Sequence, residues 1–278
     1  MKNHTQGVLV VIALASAVAL SAQAVAGAQA PSTQTPPASP TAPAAPTAPT
    51  APASATAPTA ANLPTAEEIV NKHVEAMGGK DAISKVKSVY TESSITVMGA
   101  ENPATETILD GVGYKSEMEF NGTKIVQCYT DKGGWTINPM AGAATATPMP
   151  EDVYNAGKGQ IYVGGPLYDY AAKGSKIELL GKDGAAYKVK VTSKENVESV
   201  YMIDSTSYLI TSALTKAKMQ DQDVAVTTKL SDYRKSELGL QIPYAIDVDL
   251  GGQFSLTIAE KKVELNKPVD PAVFAMPK

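Results

Sequence analysis

The sequence predicts an α+β fold: one strongly curved antiparallel sheet of about eleven strands, an unclosed β-barrel, with helices packed on its concave side. Three features point there. Apolar and polar residues alternate with a period of two in run after run from Ser88 to Leu265, the signature of strands with one buried face. Helical periodicity is confined to two places, Thr65–Val86 and Glu151–Ala172. Finally, a charge-free Pro/Ala/Thr tract ends at Asn62, leaving residues 63–278, roughly 215 of them, for one large β domain.

Residues 1–30 read as an export signal, with a lysine near the start and an apolar run from Val8 to about Ala22. Ala22-Gln23-Ala24, Ala24-Val25-Ala26 and Ala26-Gly27-Ala28 each offer a small-x-small cleavage site. The run is short for a membrane span, which needs about 20 residues; a retained anchor is the alternative to cleavage. Residues 31–62 hold no charge and no large apolar residue. Such a stretch cannot offset its own ordering entropy, so it is expected to be a disordered linker. It would serve either as a polyproline-like spacer from a membrane or wall, or as a mere leader.

Thr65 with Glu68 forms a capping box at the start of the clearest helix. Ile69, Val70, Val74 and Met77 make its apolar stripe, and Gly78-Gly79 ends it. Asp81 can cap a second short turn through Val86. Strands follow at Ser88–Val97 and Thr105–Asp110. The central hairpin comes next: Tyr114, Ser116, Met118 and Phe120 point one way, while Lys115, Glu117 and Glu119 point the other. Asn121-Gly122 suits the two positive-φ positions of a type I′ turn, and Thr123–Thr130 returns. After Asp131-Lys132-Gly133-Gly134, the sole tryptophan, Trp135, opens a short strand that Pro139 stops.

Met140–Pro150 reads as a small-residue loop, and Glu151–Ala156 and Leu167–Ala172 as short helices joined by a glycine-rich link. Strands resume at Lys176–Lys182, Ala185–Thr192, Val197–Asp204, Tyr208–Met219, Val224–Leu230, Gln241–Leu250 and Gln253–Leu265. In the last of these, Phe254, Leu256 and Ile258 share one parity and Val263 and Leu265 the other. A bulge between Ala259 and Lys262 reconciles them. Pro243 lacks a donor and belongs near an edge or a strand start. A sheet this long must curl or close to protect its edges.

Composition excludes several function classes. The net charge is −4 with no basic block, which disfavours nucleic acid and anionic membrane as partners. One cysteine, Cys128, allows no internal disulfide in an exported chain. His4 departs with the signal, leaving His73 on the amphipathic helix. Cys128 sits mid-strand, so a Cys–His pair is not set up and no catalytic residue is assigned. Zinc-ligand spacing is absent and no cofactor is indicated. Asp247 and Asp249 before Gly251-Gly252, and Asp221 with Asp223, suggest strand ends and turns; neither stretch fits a twelve-residue calcium loop. Asn121-Gly122-Thr123 matches a glycosylation sequon, but the hairpin explains it.

The run Asp131-Lys132-Gly133-Gly134-Trp135-Thr136-Ile137-Asn138-Pro139 resembles the periplasmic lipoprotein carriers, the LolA-like outer-membrane lipoprotein-sorting proteins. Asn266-Lys267-Pro268-Val269-Asp270-Pro271-Ala272-Val273-Phe274 resembles that family's closing segment, and the opening helix with Gly78-Gly79 its start. The resemblance covers about Leu63–Lys278. It implies an unclosed barrel plugged by helices and a periplasmic, non-enzymatic carrier of acyl chains. Those carriers use an early-strand arginine to control opening; the only arginine here is Arg234, so no residue takes that role.

The expectation is a monomeric binder of a lipoprotein acyl chain or lipid, exchanging cargo with envelope membrane proteins. Ile69, Met77, Met118, Phe120 and Trp135 are the expected apolar lining. Two rival readings are a tethered structural or protein-interaction β domain and a carboxylate-based envelope enzyme. An open or solid concave side decides among them.

Overall fold

The computed structural model describes residues 63–219, 222–252 and 254–278; the expected signal and linker, residues 1–62, lie outside them. Thirteen strands form a single antiparallel sheet. The first six are β1 Ser88–Val97, β2 Ala100–Leu109, β3 Gly113–Phe120, β4 Thr123–Thr130, β5 Gly133–Asn138 and β6 Ala143–Pro148. The other seven are β7 Lys176–Asp183, β8 Ala186–Thr192, β9 Glu198–Asp204, β10 Ile210–Met219, β11 Gln222–Lys235, β12 Gln241–Leu250 and β13 Phe254–Leu265.

Their order across the sheet is β6-β5-β4-β3-β2-β1-β13-β12-β11-β10-β9-β8-β7. Two meanders, one running out from β1 to β6 and one running back from β7 to β13, join only where the first strand pairs with the last. The segment between β6 and β7, residues 149–175, must pass from one outer edge of the sheet to the other.

That crossover measures the curvature. Nine strand steps separate β4 from β8, about 43 Å in a flat sheet at ~4.8 Å per step. Yet Gly157 lies against the Tyr129 ring of β4, and the next residue, Lys158, pairs with Glu195 of the β8–β9 turn at 2.8 Å. Only a strongly curled sheet brings both within reach of adjacent residues. That curl brings the C-terminal end of β4 beside the C-terminal turn of β8. β6 and β7 remain the two ends of the strand order, so the barrel is not closed.

Local signals explain the elements. Thr65 and Glu68 form the reciprocal cap of helix α1, Ala66–Ala76, with the Thr65 N–H donating to Glu68 Oε2 at 2.7 Å and the Glu68 N–H to Thr65 Oγ1 at 3.1 Å. Helix α2, Gly79–Ser84, follows directly. Gly78, at φ 125°, lets the chain press on the β11–β12 turn; a Cβ there would lie 2.9 Å from the Gly239 carbonyl oxygen. Asn121 (φ 50°) and Gly122 (φ 73°) make the expected hairpin. Between β1 and β13 the register jumps from Glu92↔Lys262 to Ser93↔Glu260. Lys261 is therefore the bulged residue, and the bulge places Val263 and Leu265 on the same face as Ile258. Pro243 pairs with Tyr233 on β11 but stands before β13 pairing begins at Ala245. There its missing donor costs nothing.

Some expectations are corrected. The sheet has thirteen strands, not about eleven. Ala143–Pro148 is an edge strand rather than part of a loop, because backbone pairing to β5 needs no apolar alternation. The strand expected from Thr105 starts at Ala100, paired with Val97 across a two-residue turn. Glu151–Gly157 is helical, α3, but Leu167–Ala172 is a series of turns. Helices thus sit in two places: α1 and α2 ahead of β1, and α3 with the 3-10 turn Lys158–Ile161 in the crossover.

The main core gathers one face of every strand from β1 to β4 and β7 to β13 with α1 and the crossover. A second, smaller cluster of Val126, Cys128, Trp135 and Phe274 lies on the opposite, convex face under the C-terminal segment. Gly113 admits the Phe274 ring there; a Cβ would come within 2.5 Å of it.

Candidate functional site

Register places the five expected lining residues. Met118 and Phe120 of β3 face the main core with Ile69 of α1 and the α1 C-cap Met77, each at most 7% exposed. Trp135 does not join them. It pairs with Cys128 on β4, whose parity is opposite to that of Tyr129, and its Nε1–H donates to the Phe274 carbonyl at 2.9 Å. The tryptophan pins the C-terminal segment to the outside of the sheet. The other four are consumed by the packing of the chain's own helix against its own strands. None of the five lines the cleft described next.

That cleft, of about 490 Å³, lies between the crossover and strands β8–β10. Its sheet wall is Val191 of β8, Ser199 and Tyr201 of β9, and Thr215 of β10, with the Ser193–Val197 turn. Its other wall is α3 and the chain from Lys158 to Lys173, with Asp131 at one side.

The crossover is held unequally. On the side of β2–β5 it is hydrogen-bonded throughout. The Met149 N–H donates to the Gly134 carbonyl (2.9 Å), Gly111 N–H to the Ile161 carbonyl (2.9 Å), Val163 N–H to Asp110 Oδ1 (3.1 Å) and Tyr154 Oη to the Thr130 carbonyl (2.9 Å). Gly157 permits this docking, since a Cβ would sit 2.4 Å from the Tyr129 ring. On the side of β8–β10, among the described residues, the Lys158–Glu195 ion pair is the polar contact. The cleft opens along the weakly attached side.

Two polar groups in its wall stand out. Lys173 Nζ donates to the Gly165 and Tyr168 carbonyls, both at 2.7 Å, and faces the Tyr162 and Tyr168 rings at 5.4 and 5.7 Å. Burial pulls its ammonium down to about 8, against the influence of Asp110 and Asp169. Gln160 is 6% exposed, and neither its Oε1 nor its Nε2 has a partner. An unpaired buried polar atom costs about 1–3 kcal/mol. Tyr201, fully buried, has its phenol pushed up to about 12 by desolvation.

Groups that could do chemistry elsewhere are sequestered. His73 is buried, its Nδ1 lies 2.8 Å from the Tyr208 carbonyl, and desolvation lowers it to about 4, so it is a neutral helix anchor. Burial raises the Cys128 thiol to about 12, and its Sγ lies 3.3 Å from the Phe274 carbonyl. Asp247 accepts from Thr257 Oγ1 and Asp249 from the Gly252 N–H, as strand and turn caps; Asp221 lies outside the described residues. Arg234 is exposed, pairs with Asp232 and lies 4.2 Å over the Tyr244 ring. A buried carboxylate pair lies at the seam of the meanders. Glu106 of β2 accepts from Tyr114 Oη at 2.6 Å, and burial raises it to about 7. Burial, then Glu106 itself, raises Glu260 of β13 to about 8.

Sequence reasoning missed Tyr154, Lys158, Gln160, Lys173, Glu195 and Tyr201. The available signal was the length of non-strand chain between Pro148 and Lys176, unusual in a compact domain unless it is functional.

No family model matches the sequence, and no curated protein is similar to it. Solved structures share its fold. A LolA superfamily protein from Nitrosomonas europaea is 12% identical, with 77% of this chain and 98% of that one covered at a TM-score of 0.51. A DUF1329 family protein from Desulfovibrio piger is 15% identical, with 76% and 97% covered, also at 0.51. At these identities the likeness is one of fold.

Proposed function

We propose that this chain, which has the LolA-superfamily fold, is a non-enzymatic periplasmic binder or carrier of an acylated, amphiphilic ligand such as a lipid or a lipoprotein acyl chain. The observation that carries this reading is the cleft between the crossover and β8–β10. Its size lies within the roughly 300–1,000 Å³ typical of small-molecule sites. Val191, Val197 and Tyr201 offer an apolar wall, while Lys158, Glu195 and Lys173 offer polar contacts for a head group. Transfer of an acyl chain from water yields about 0.8 kcal/mol per CH₂, enough for micromolar binding with no reacting group. The export signal and Pro-rich linker read from the sequence suit a tethered monomer that meets cargo and membrane partners in the envelope.

The test is lipid extraction and native mass spectrometry of the purified chain, followed by titration with a fluorescent fatty acid after delipidation. Micromolar binding that Val197→Trp, which crowds the cleft mouth, weakens at least tenfold is the expected outcome. A delipidated protein that takes up no fluorescent acyl chain ends the reading.

A further inference from the structure

Lys158, Lys173 and Lys194 line the cleft. Lys158 is taken by Glu195 at 2.8 Å. Among the described residues, Lys173 and Lys194 have no carboxylate within 4 Å. These two stand together: a Cβ at Gly174 would lie 3.5 Å from the Lys194 side chain, so the Lys194 stem runs beside the residue that follows Lys173. The other carboxylate of the lining, Asp131, belongs to the β4–β5 turn beside Tyr154. Lys173 is half-buried, and its ammonium is held in place by the Gly165 and Tyr168 carbonyls and the Tyr162 and Tyr168 rings. An ammonium carries three N–H groups, so one is left over. Asp110 and Asp169 act on it through space, but Asp110 accepts from the Val163 N–H and neither lines the cleft. A charge drawn out of water with no opposite charge in contact is costly. The cleft is the side from which an anion can complete it.

We infer that the cleft selects amphiphiles with an anionic head, a carboxylate or a phosphate, whose oxygen accepts from the remaining N–H of Lys173 while Lys194 approaches from the β8–β9 turn. This rests on the acyl-binding reading above and narrows it to fatty acids and anionic lipids, against neutral amphiphiles of the same chain length. The acyl chain then follows Val191, Val197 and Tyr201.

The experiment competes decanoate, decyl phosphate and decanol, which share a chain and differ in the head, against a fluorescent fatty acid on the delipidated full chain. At about pH 7 the better of the two anions is expected to bind about tenfold more tightly than the alcohol, the value of one hydrogen bond to a charged group. Whether that anion is the carboxylate or the phosphate names the source, a free fatty acid or a phosphate-bearing lipid. Lys173 loses its proton as pH rises through about 8, while both heads stay anionic, so the advantage should shrink by about pH 9.5. Lys173→Met should bring the ratio toward one, and Lys173→Arg, which stays charged, should keep the ratio and flatten its pH profile. The wild-type comparison needs no variant, so a misfolded Lys173→Met leaves the proposal open to refutation. Equal binding of anions and alcohol by the wild type overturns the anionic head alone and leaves an acyl groove indifferent to its head group. An anion advantage that survives both Lys173→Met and the rise in pH overturns the part given to Lys173. If none of the three binds, the acyl-binding reading falls, and the head preference with it.

Discussion

The two flanks of the sheet handle their surfaces differently. Flank β1–β6 is closed on both sides. The crossover is hydrogen-bonded into its concave face through Ile161, Val163 and Tyr154, and the C-terminal segment seals its convex face through Trp135 and Phe274. Flank β7–β13 is covered by α1 at one end, but beside β8–β10 it meets the crossover across a cleft and one ion pair. Its convex face leaves Leu180 and Leu214 nearly half exposed. One flank is pinned on both faces, and the other is covered loosely beside β8–β10.

The contrast is broken most severely at the sealed flank. Trp135→Ala removes a fully packed ring and its hydrogen bond, and should cost about 3–5 kcal/mol in urea unfolding. Because the ring is on the convex face, acyl-probe affinity of the folded fraction should stay unchanged. A large affinity loss at constant fold would place the site on the wrong flank.

The seam between the flanks comes next. Glu106 and Glu260 have folded-state values raised to about 7 and about 8, above the ordinary carboxylate value near 4.3. The folded chain therefore holds protons that the unfolded chain releases. The contribution of this pair to stability is fullest below about pH 4.3, falls as pH rises toward 7–8 and levels off above, by on the order of a few kcal/mol. Urea midpoints across this range should follow that curve, and Glu106→Gln with Glu260→Gln should flatten it. A wild-type midpoint rising with pH through the same window would contradict it.

The smallest effect sharpens the comparison at the loose flank. Lys158 and Glu195 are partly exposed, so Lys158→Met should change stability by less than about 1 kcal/mol. It should nevertheless speed hydrogen exchange in the crossover near residues 157–163 and the off-rate of a bound probe. Unchanged exchange there would mean that the β2–β5 contacts alone fix the crossover.

Much of this architecture was legible locally. Thr65 with Glu68, Asn121-Gly122 and the parity change before Val263 each announce one local conformation, and the helix cap, hairpin and Lys261 bulge follow. Strand β6 was not legible, because Ala143–Pro148 is held as an edge by backbone pairing and has little side-chain pattern to read. The site was hidden for a different reason. Large apolar residues such as Ile69, Met77 and Met118 announce burial, and burial by the chain's own helix looks the same as burial by a ligand. Trp135 was misplaced because register across β4 and β5, which no single strand displays, decides its face. The cleft arises from where the crossover lands, a consequence of strand order alone.

That strand order also governs how the molecule is made. β1 is followed at once by β2, yet its other neighbour, β13, ends at Leu265. As the chain is synthesised, β1 keeps a naked row of amide and carbonyl groups until β13 has emerged. Such a row is open to pairing with a stray segment. Its completion awaits the longest loop closure in the domain, making slow, late zipping of β1 to β13 the expected final event of maturation.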